Sequence, residues 1–254
     1  MGFFDFLRKS NPPPAGSAAP SDKKVAGPAK VAADKRAQTY DRLEALQQLA
    51  EMKTAESAAA LLKRFSFSID PSITDQEEKD IAFQGAVAAG KDAVPGVLEF
   101  CVKAEALTWP LKILREVLED DEYREELIEL LGRYDTEYAR NVEPKLQIIA
   151  ALEAVVDDDV REAVAPFLED VNETVRFHAV QTTFAQNNAD CVASLVALLE
   201  AEESVRIKNK VGEGLSFRGW VIPTELREKT AAALRDTAGF SVGPDGKIKK
   251  GPSY

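Results

Sequence analysis

Asp159-Val160-Arg161-Glu162-Ala163-Val164-Ala165-Pro166-Phe167-Leu168-Glu169-Asp170, continued by Val171-Asn172-Glu173-Thr174-Val175-Arg176-Phe177-His178-Ala179-Val180, is the stretch whose reading decides the fold. Val160, Ala163, Val164, Phe167 and Leu168 fall at helical spacing, as do Val175, Ala179, Val180 and Phe184. The spacing predicts two short amphipathic helices joined by an acidic, Asn-containing turn. Neither helix can bury its apolar stripe alone, so each needs a neighbour of the same kind. Val175-Arg176 returns 30 residues later as Val205-Arg206, again behind an acidic turn, Glu202-Glu203-Ser204. Helix pairs at a fixed period of this size predict an α-solenoid.

The helix ending near Ala165-Pro166-Phe167-Leu168, the Asp-containing turn and the Val175-Arg176 opening followed by Ala179 resemble a HEAT-type repeat. The form is the short bacterial one named after phycobilisome lyases. The likeness is good over Asp159–Leu199 and looser over the rest of residues 38–236. It implies an all-α, right-handed superhelix of about six helix pairs that acts as a scaffold, with the second helix of each pair on the concave side. It implies no activity.

Reading outward from there, four segments emerge. Residues 1–10 form an aromatic tip: Phe3, Phe4, Phe6 and Leu7, with Arg8 and Lys9 directly behind. Such a tip can dock into a partner's groove or lie in a membrane interface. Gly2 is a poor myristoylation site, because Phe6 stands where that signal has Ser or Thr. Residues 11–36, with Pro12-Pro13-Pro14, Pro20 and Gly27-Pro28 and no aromatic residue, read as a disordered tether. Residues 37–238 are the repeat domain, and residues 239–254 a hairpin around Pro244-Asp245-Gly246 with a loose tail from Lys249.

Within the repeat domain, helices are expected over Thr39–Met52 and Ala55–Phe65, the latter capped by Thr54. Thr74-Asp75-Gln76-Glu77 has the form of a capping box opening a helix through Ala88, with Gly90 beyond its end. Pro95, Pro110 and Pro144 each sit where a first helical turn tolerates proline. Lys79, Lys112, Lys145, Arg176 and Arg206 recur at steps of 33, 33, 31 and 30 residues. One cation per repeat near an acidic turn predicts a ladder of ion pairs that sets register between repeats. Gly212 and Gly214 are expected to interrupt the last pair. Phe217 and Trp220 then read either as a cap over the open end of the stack or as an aromatic contact site.

Charge and residue inventory narrow the function. The chain has 254 residues and a net charge of −11. Residues 1–36 carry +4 and the remainder −15. So acidic a body repels phosphate backbones, which argues against nucleic acid and for a protein partner with basic, extended or helical segments. No apolar run approaches a membrane span, and no secretory leader is evident at the N-terminus. Cys101 and Cys191, far apart on apolar helix faces, read as buried thiols in a reducing compartment.

His178 is the only histidine, which removes every mechanism that needs two, including the iron-binding HEAT enzymes with their His-Glu pairs. No Cys or His spacing suits zinc, and the consecutive Asp157-Asp158-Asp159 lacks the spacing of a calcium loop. No catalytic residue, metal or cofactor is expected. The reading is a non-catalytic cytoplasmic scaffold or adaptor, tethered or localised by its tip, with a peripheral place at the inner face of the membrane left open as the alternative location. The alternatives are an accessory subunit of a bilin lyase and a membrane-surface organiser anchored by the tip.

Overall fold

The structure is a computed structural model, and it describes residues 20–251 with the exception of Ala238. It is mostly helical. Thirteen α-helices among the described residues are followed by one two-stranded hairpin. They are α1 (Pro20–Ala32), α2 (Thr39–Met52), α3 (Ala55–Leu62), α4 (Ser72–Ala88), α5 (Val94–Cys101), α6 (Thr108–Val117) and α7 (Asp120–Leu131). Then come α8 (Glu143–Leu152), α9 (Asp158–Val164), α10 (Glu173–Ala185), α11 (Val192–Ala201), α12 (Val205–Arg218) and α13 (Arg227–Ala233). Strands β1 (Phe240–Val242) and β2 (Ile248–Lys250) pair antiparallel, with Val242 opposite Ile248.

Where the sequence reads one repeat domain over residues 37–238, the helices gather into two compact units, Met1–Leu130 and Leu131–Tyr254. In the first, α1 packs on α2 and α3, α4 on α2 and α3, and α6 on α4 and α5. Its core includes Ala32, Leu46, Leu49, Leu61 and Ala82, with Val25 and Ala29 packed against them. This corrects the reading of residues 11–36 as a tether over the span Pro20–Ala32. Val25, Ala29 and Ala32 form an i, i+4, i+7 stripe, and such small side chains let α1 approach α2 closely enough to bury Ala32 completely. Residues 11–19 lie outside the described residues.

In the second unit, α8 packs on α10 and α10 on α12, while the 3₁₀ turn Ala165–Glu169 after α9 packs on α11 and α11 on α13. First helices thus meet first helices, and second helices meet second helices. The hairpin belongs to this unit: Phe240 and Ile248 are buried, β2 packs on α12, and the Ile222 amide donates to the Gly246 carbonyl at 2.8 Å. Lys249 and Lys250, expected in a loose tail, are therefore strand residues.

Helix ends follow local chemistry. Thr54 accepts from the Ser57 amide while the Ser57 hydroxyl accepts from the Thr54 amide, a reciprocal cap with Ser where Glu is commoner. Asn172 Oδ1 accepts from the Thr174 and Val175 amides and opens α10. The expected capping box at Thr74 is overturned. α4 begins at Ser72, directly after Pro71, whose carbonyl accepts from the Thr74 and Asp75 amides and places Thr74 inside the first turn. Gly212 and Gly214 do not interrupt α12, which runs through both and ends at Gly219 in the left-handed conformation (φ +62°). Their lack of a side chain is used for packing instead: a Cβ at Gly212 would stand 2.8 Å from the Phe240 ring, and one at Gly214 would run into the Phe184 ring.

Candidate partner-binding site

Two of the five expected ladder positions build one arrangement twice. Lys145, in the first turn of α8, donates through Nζ to Asp170 Oδ2 at 2.6 Å and to the Asp135 carbonyl at 3.1 Å. Arg176, in the first turn of α10, donates through Nε and Nη2 to the two oxygens of Glu202, at 2.8 and 2.9 Å. Each acceptor also fixes its own turn: Asp170 Oδ1 takes the Asn172 amide at 2.8 Å, and Glu202 Oε1 takes the Ser204 amide at 2.9 Å. The cations are 31 residues apart and the carboxylates 32. Arg176 Nη1 closes the series by donating to the Asp170 carbonyl at 2.8 Å. Burial pushes the Glu202 carboxyl up, but the Arg176 guanidinium and the turn amides outweigh it and hold the group below its ordinary value.

The other three positions take different roles. Arg206 reaches Glu173 only loosely, at 3.9 Å, and lies over the Phe177 ring at 3.8 Å. Lys79 pairs within its own helix with Asp75, at 2.6 Å, and Lys112 sits over the Trp109 ring at 5.0 Å. The ladder therefore does not extend to Lys79 and Lys112, because among the described residues no turn carboxylate of a following pair is bonded to either.

The first unit instead carries a buried network that periodicity did not reveal. Glu78 accepts from Arg64 Nε at 2.6 Å and from Arg42 Nε and Nη2 at 2.9–3.1 Å, with all three side chains essentially inaccessible. Arg64 Nη2 continues to Asp75 at 2.7 Å, and Arg42 Nη1 donates to the Ala37 carbonyl. The available signal was a charged residue on an apolar stripe: Arg42 precedes Leu46 and Leu49 at i+4 and i+7, and Glu78 precedes Ala82 at i+4. Lys145 with Ile148, Ile149 and Leu152 shows the same pattern.

Between the Asp170 turn and the end of α11 opens a cavity of about 420 Å³. It is lined by Leu168, Val171, Leu198 and Ala201 beside the Arg176–Glu202 pair, with Glu169 and Glu203 also on its wall. Among the described residues no cation pairs with the Glu169 or Glu203 carboxylate, and both residues are exposed. Each guanidinium nitrogen of Arg176 donates within the turns, Nε and Nη2 to Glu202 and Nη1 to the Asp170 and Val171 carbonyls. The cavity thus offers apolar walls and two uncompensated negative charges. Compared with family models, curated proteins and solved structures, the chain matches none.

Trp220 and Phe217 separate. Trp220 is half-buried, its ring 5.9 Å from that of Phe184, whereas Phe217 is 88% exposed. His178 is half-buried and meets Phe177 edge-on at 6.0 Å. Cys101 and Cys191 are buried free thiols, and burial pushes the Cys101 thiol up to about 12. No His, Cys, Asp or Glu cluster among the described residues is arranged to hold a metal ion, and no helix among them is long and apolar enough to cross a membrane. The tip residues Phe3, Phe4, Phe6, Leu7, Arg8 and Lys9 lie outside the described residues.

Proposed function

We propose that this chain is a non-catalytic cytoplasmic scaffold that holds a protein partner on an acidic, HEAT-like helix-pair solenoid. The observation that carries the reading is the cavity beside the Arg176–Glu202 pair, whose apolar wall and uncompensated Glu169 and Glu203 suit a lysine or arginine side chain of a partner segment. The aliphatic stem of such a residue packs on Leu168, Leu198 and Ala201 while its charged head meets the carboxylates. The repeated bonding of Lys145 to Asp170 and of Arg176 to Glu202 supports a stack of equivalent units, an architecture suited to extended ligands.

The test is a pull-down with three baits: the full chain, the Glu169→Lys/Glu203→Lys variant, and a chain lacking Met1–Ala19. The truncation stops there because the helix beginning at Pro20 carries Ala32 into the core. A partner lost on charge reversal and by raising salt, yet retained by the truncated chain, supports the reading. A partner that follows only the first 19 residues overturns it and moves recognition to the tip.

A further inference from the structure

We propose that the outer face of α12 is a second docking surface, one that takes an acidic segment of a partner protein carrying an apolar side chain between its carboxylates. The inference is independent of the acidic cavity and rests on the opposite charge. Within the 14 residues of α12 stand Arg206, Lys208, Lys210 and Arg218 against one carboxylate, Glu213, in a chain of net charge −11. Glu213 is engaged by Lys250 at 3.4 Å. Among the described residues, Lys208, Lys210 and Arg218 have no carboxylate partner, although acidic side chains outnumber basic ones by 43 to 32 in the whole chain. Two of these unpaired cations, Lys210 and Arg218, lie at one cavity of so acidic a protein and form a local field there that attracts negative charge.

The face also has a receptacle. A cavity of about 380 Å³ opens between α10 and α12, lined by Phe184, Ala185, Gly214 and Phe217 with Lys210 and Arg218. Glu153 and Gln181 complete the lining, so with Glu213 held by Lys250 the charges at the cavity leave one positive in excess. Gly214 is what allows the Phe184 ring to lie there, since a side chain in its place would occupy the same space. Arg218 stands over Phe184 at 4.7 Å and Trp220 at 5.4 Å, donates to the Phe184 carbonyl, and keeps a buried Nε without a partner. Phe217, at 88% exposure, leaves most of its ring in water. An apolar side chain entering beside Phe217 covers that ring, and flanking carboxylates reach Lys210 and Arg218. Aromatic and arginine groups around a pocket are the composition that dominates binding energy at interfaces.

The experiment displays a random heptapeptide library to the full chain and to the Phe217→Ser, Lys210→Glu and Tyr138→Ser variants. Tyr138 is a matched control, an aromatic residue 84% exposed elsewhere in the same unit. Thermal melts establish that each variant is folded. The expected selection is enriched in Asp and Glu around Leu, Ile or Phe. The synthetic form of the most enriched peptide, followed by fluorescence anisotropy, should weaken about tenfold or more with Phe217→Ser. It should also weaken with Lys210→Glu and with added salt, and change less than about twofold with Tyr138→Ser. Selection of basic peptides, absence of any enrichment, or binding indifferent to Phe217→Ser overturns the proposal. So does Phe217-dependent binding of a single-stranded oligothymidine, which would assign the face to nucleic acid instead.

Discussion

Lys145 Nζ and Asp170 Oδ2 lie 2.6 Å apart, with side chains 1% and 0% exposed, and so form a salt bridge sealed from water between two successive helix pairs. A pair of this kind is costly to break from one side, because the remaining charge is left buried. Lys145→Met is expected to destabilise the protein by about 3 kcal/mol or more, measured by urea unfolding. Lys145→Met with Asp170→Leu should recover much of that loss, leaving a deficit of about 1 kcal/mol from the lost hydrogen bond to the Asn172 amide. A single substitution costing under about 0.5 kcal/mol would show the pair to be solvated.

The same logic applies more severely to Glu78. Glu78→Gln leaves Arg42 and Arg64 facing each other without the carboxylate that joins them, and the expected loss is about 4 kcal/mol. Arg42→Met keeps the Arg64–Glu78 bond and should cost clearly less. Equal losses for the two variants in chemical denaturation would contradict a network centred on Glu78.

Glu126 supplies a pH dependence of known sign. Its residue is 9% exposed and its Oε2 is buried without a partner. Burial first, and then the neighbouring Glu129, Glu125 and Glu122, push its carboxyl up to about 7. Below the unfolded value, near 4.5, both states hold the proton and nothing is lost. As pH rises from there to about 7 the unfolded chain ionises first, and stability falls by about 1–3 kcal/mol before levelling off. The difference between the protein and its Glu126→Gln variant, measured by unfolding from pH 4 to 8, should follow that window. A flat difference curve would refute it.

Two glycines of the first unit should respond differently to alanine. A Cβ at Gly85 would stand 2.6 Å from the Ala50 Cβ and 2.7 Å from a Leu61 methyl, so Gly85→Ala overpacks the α2–α4 contact and should cost about 1–3 kcal/mol. At Gly96 the nearest atom, the Ala59 Cβ, is 3.3 Å away. There the helix-propensity gain of alanine, up to about 1 kcal/mol, should keep Gly96→Ala neutral or stabilising. Thermal melts of the two variants decide the matter, and equal melting temperatures would contradict the packing at Gly85.

Much of this was legible in the chain. Thr39–Met52 is the helix its apolar spacing described, Thr54 caps the next one, and the turn at Asn172 opens α10. These features depend on residues within a few positions of one another. The candidate site was half legible. Lys145 and Arg176 were identified by period, but Asp170 and Glu202 stood among many equivalent turn carboxylates. Arg42, Arg64 and Glu78 were not found, because a charged residue on an apolar stripe looks like an interruption until its partners are known.

By itself, then, the sequence determined where most of the helices after residue 37 lie, which faces are apolar, where the hairpin turns and how the charge divides between the ends of the chain. Those follow from backbone propensity and from periodicities of two and 3.6 residues, which act locally. Only the tertiary structure decided which charges are buried and by what they are neutralised. Lys145 finds its carboxylate 25 residues away, Arg176 finds its own at 26, and Arg42 finds Glu78 at 36. It also decided that the proline-containing stretch from Pro20 joins the core as α1 and that α12 passes unbroken through two glycines. In both cases the free energy of packing against a neighbouring helix outweighed a weak local preference.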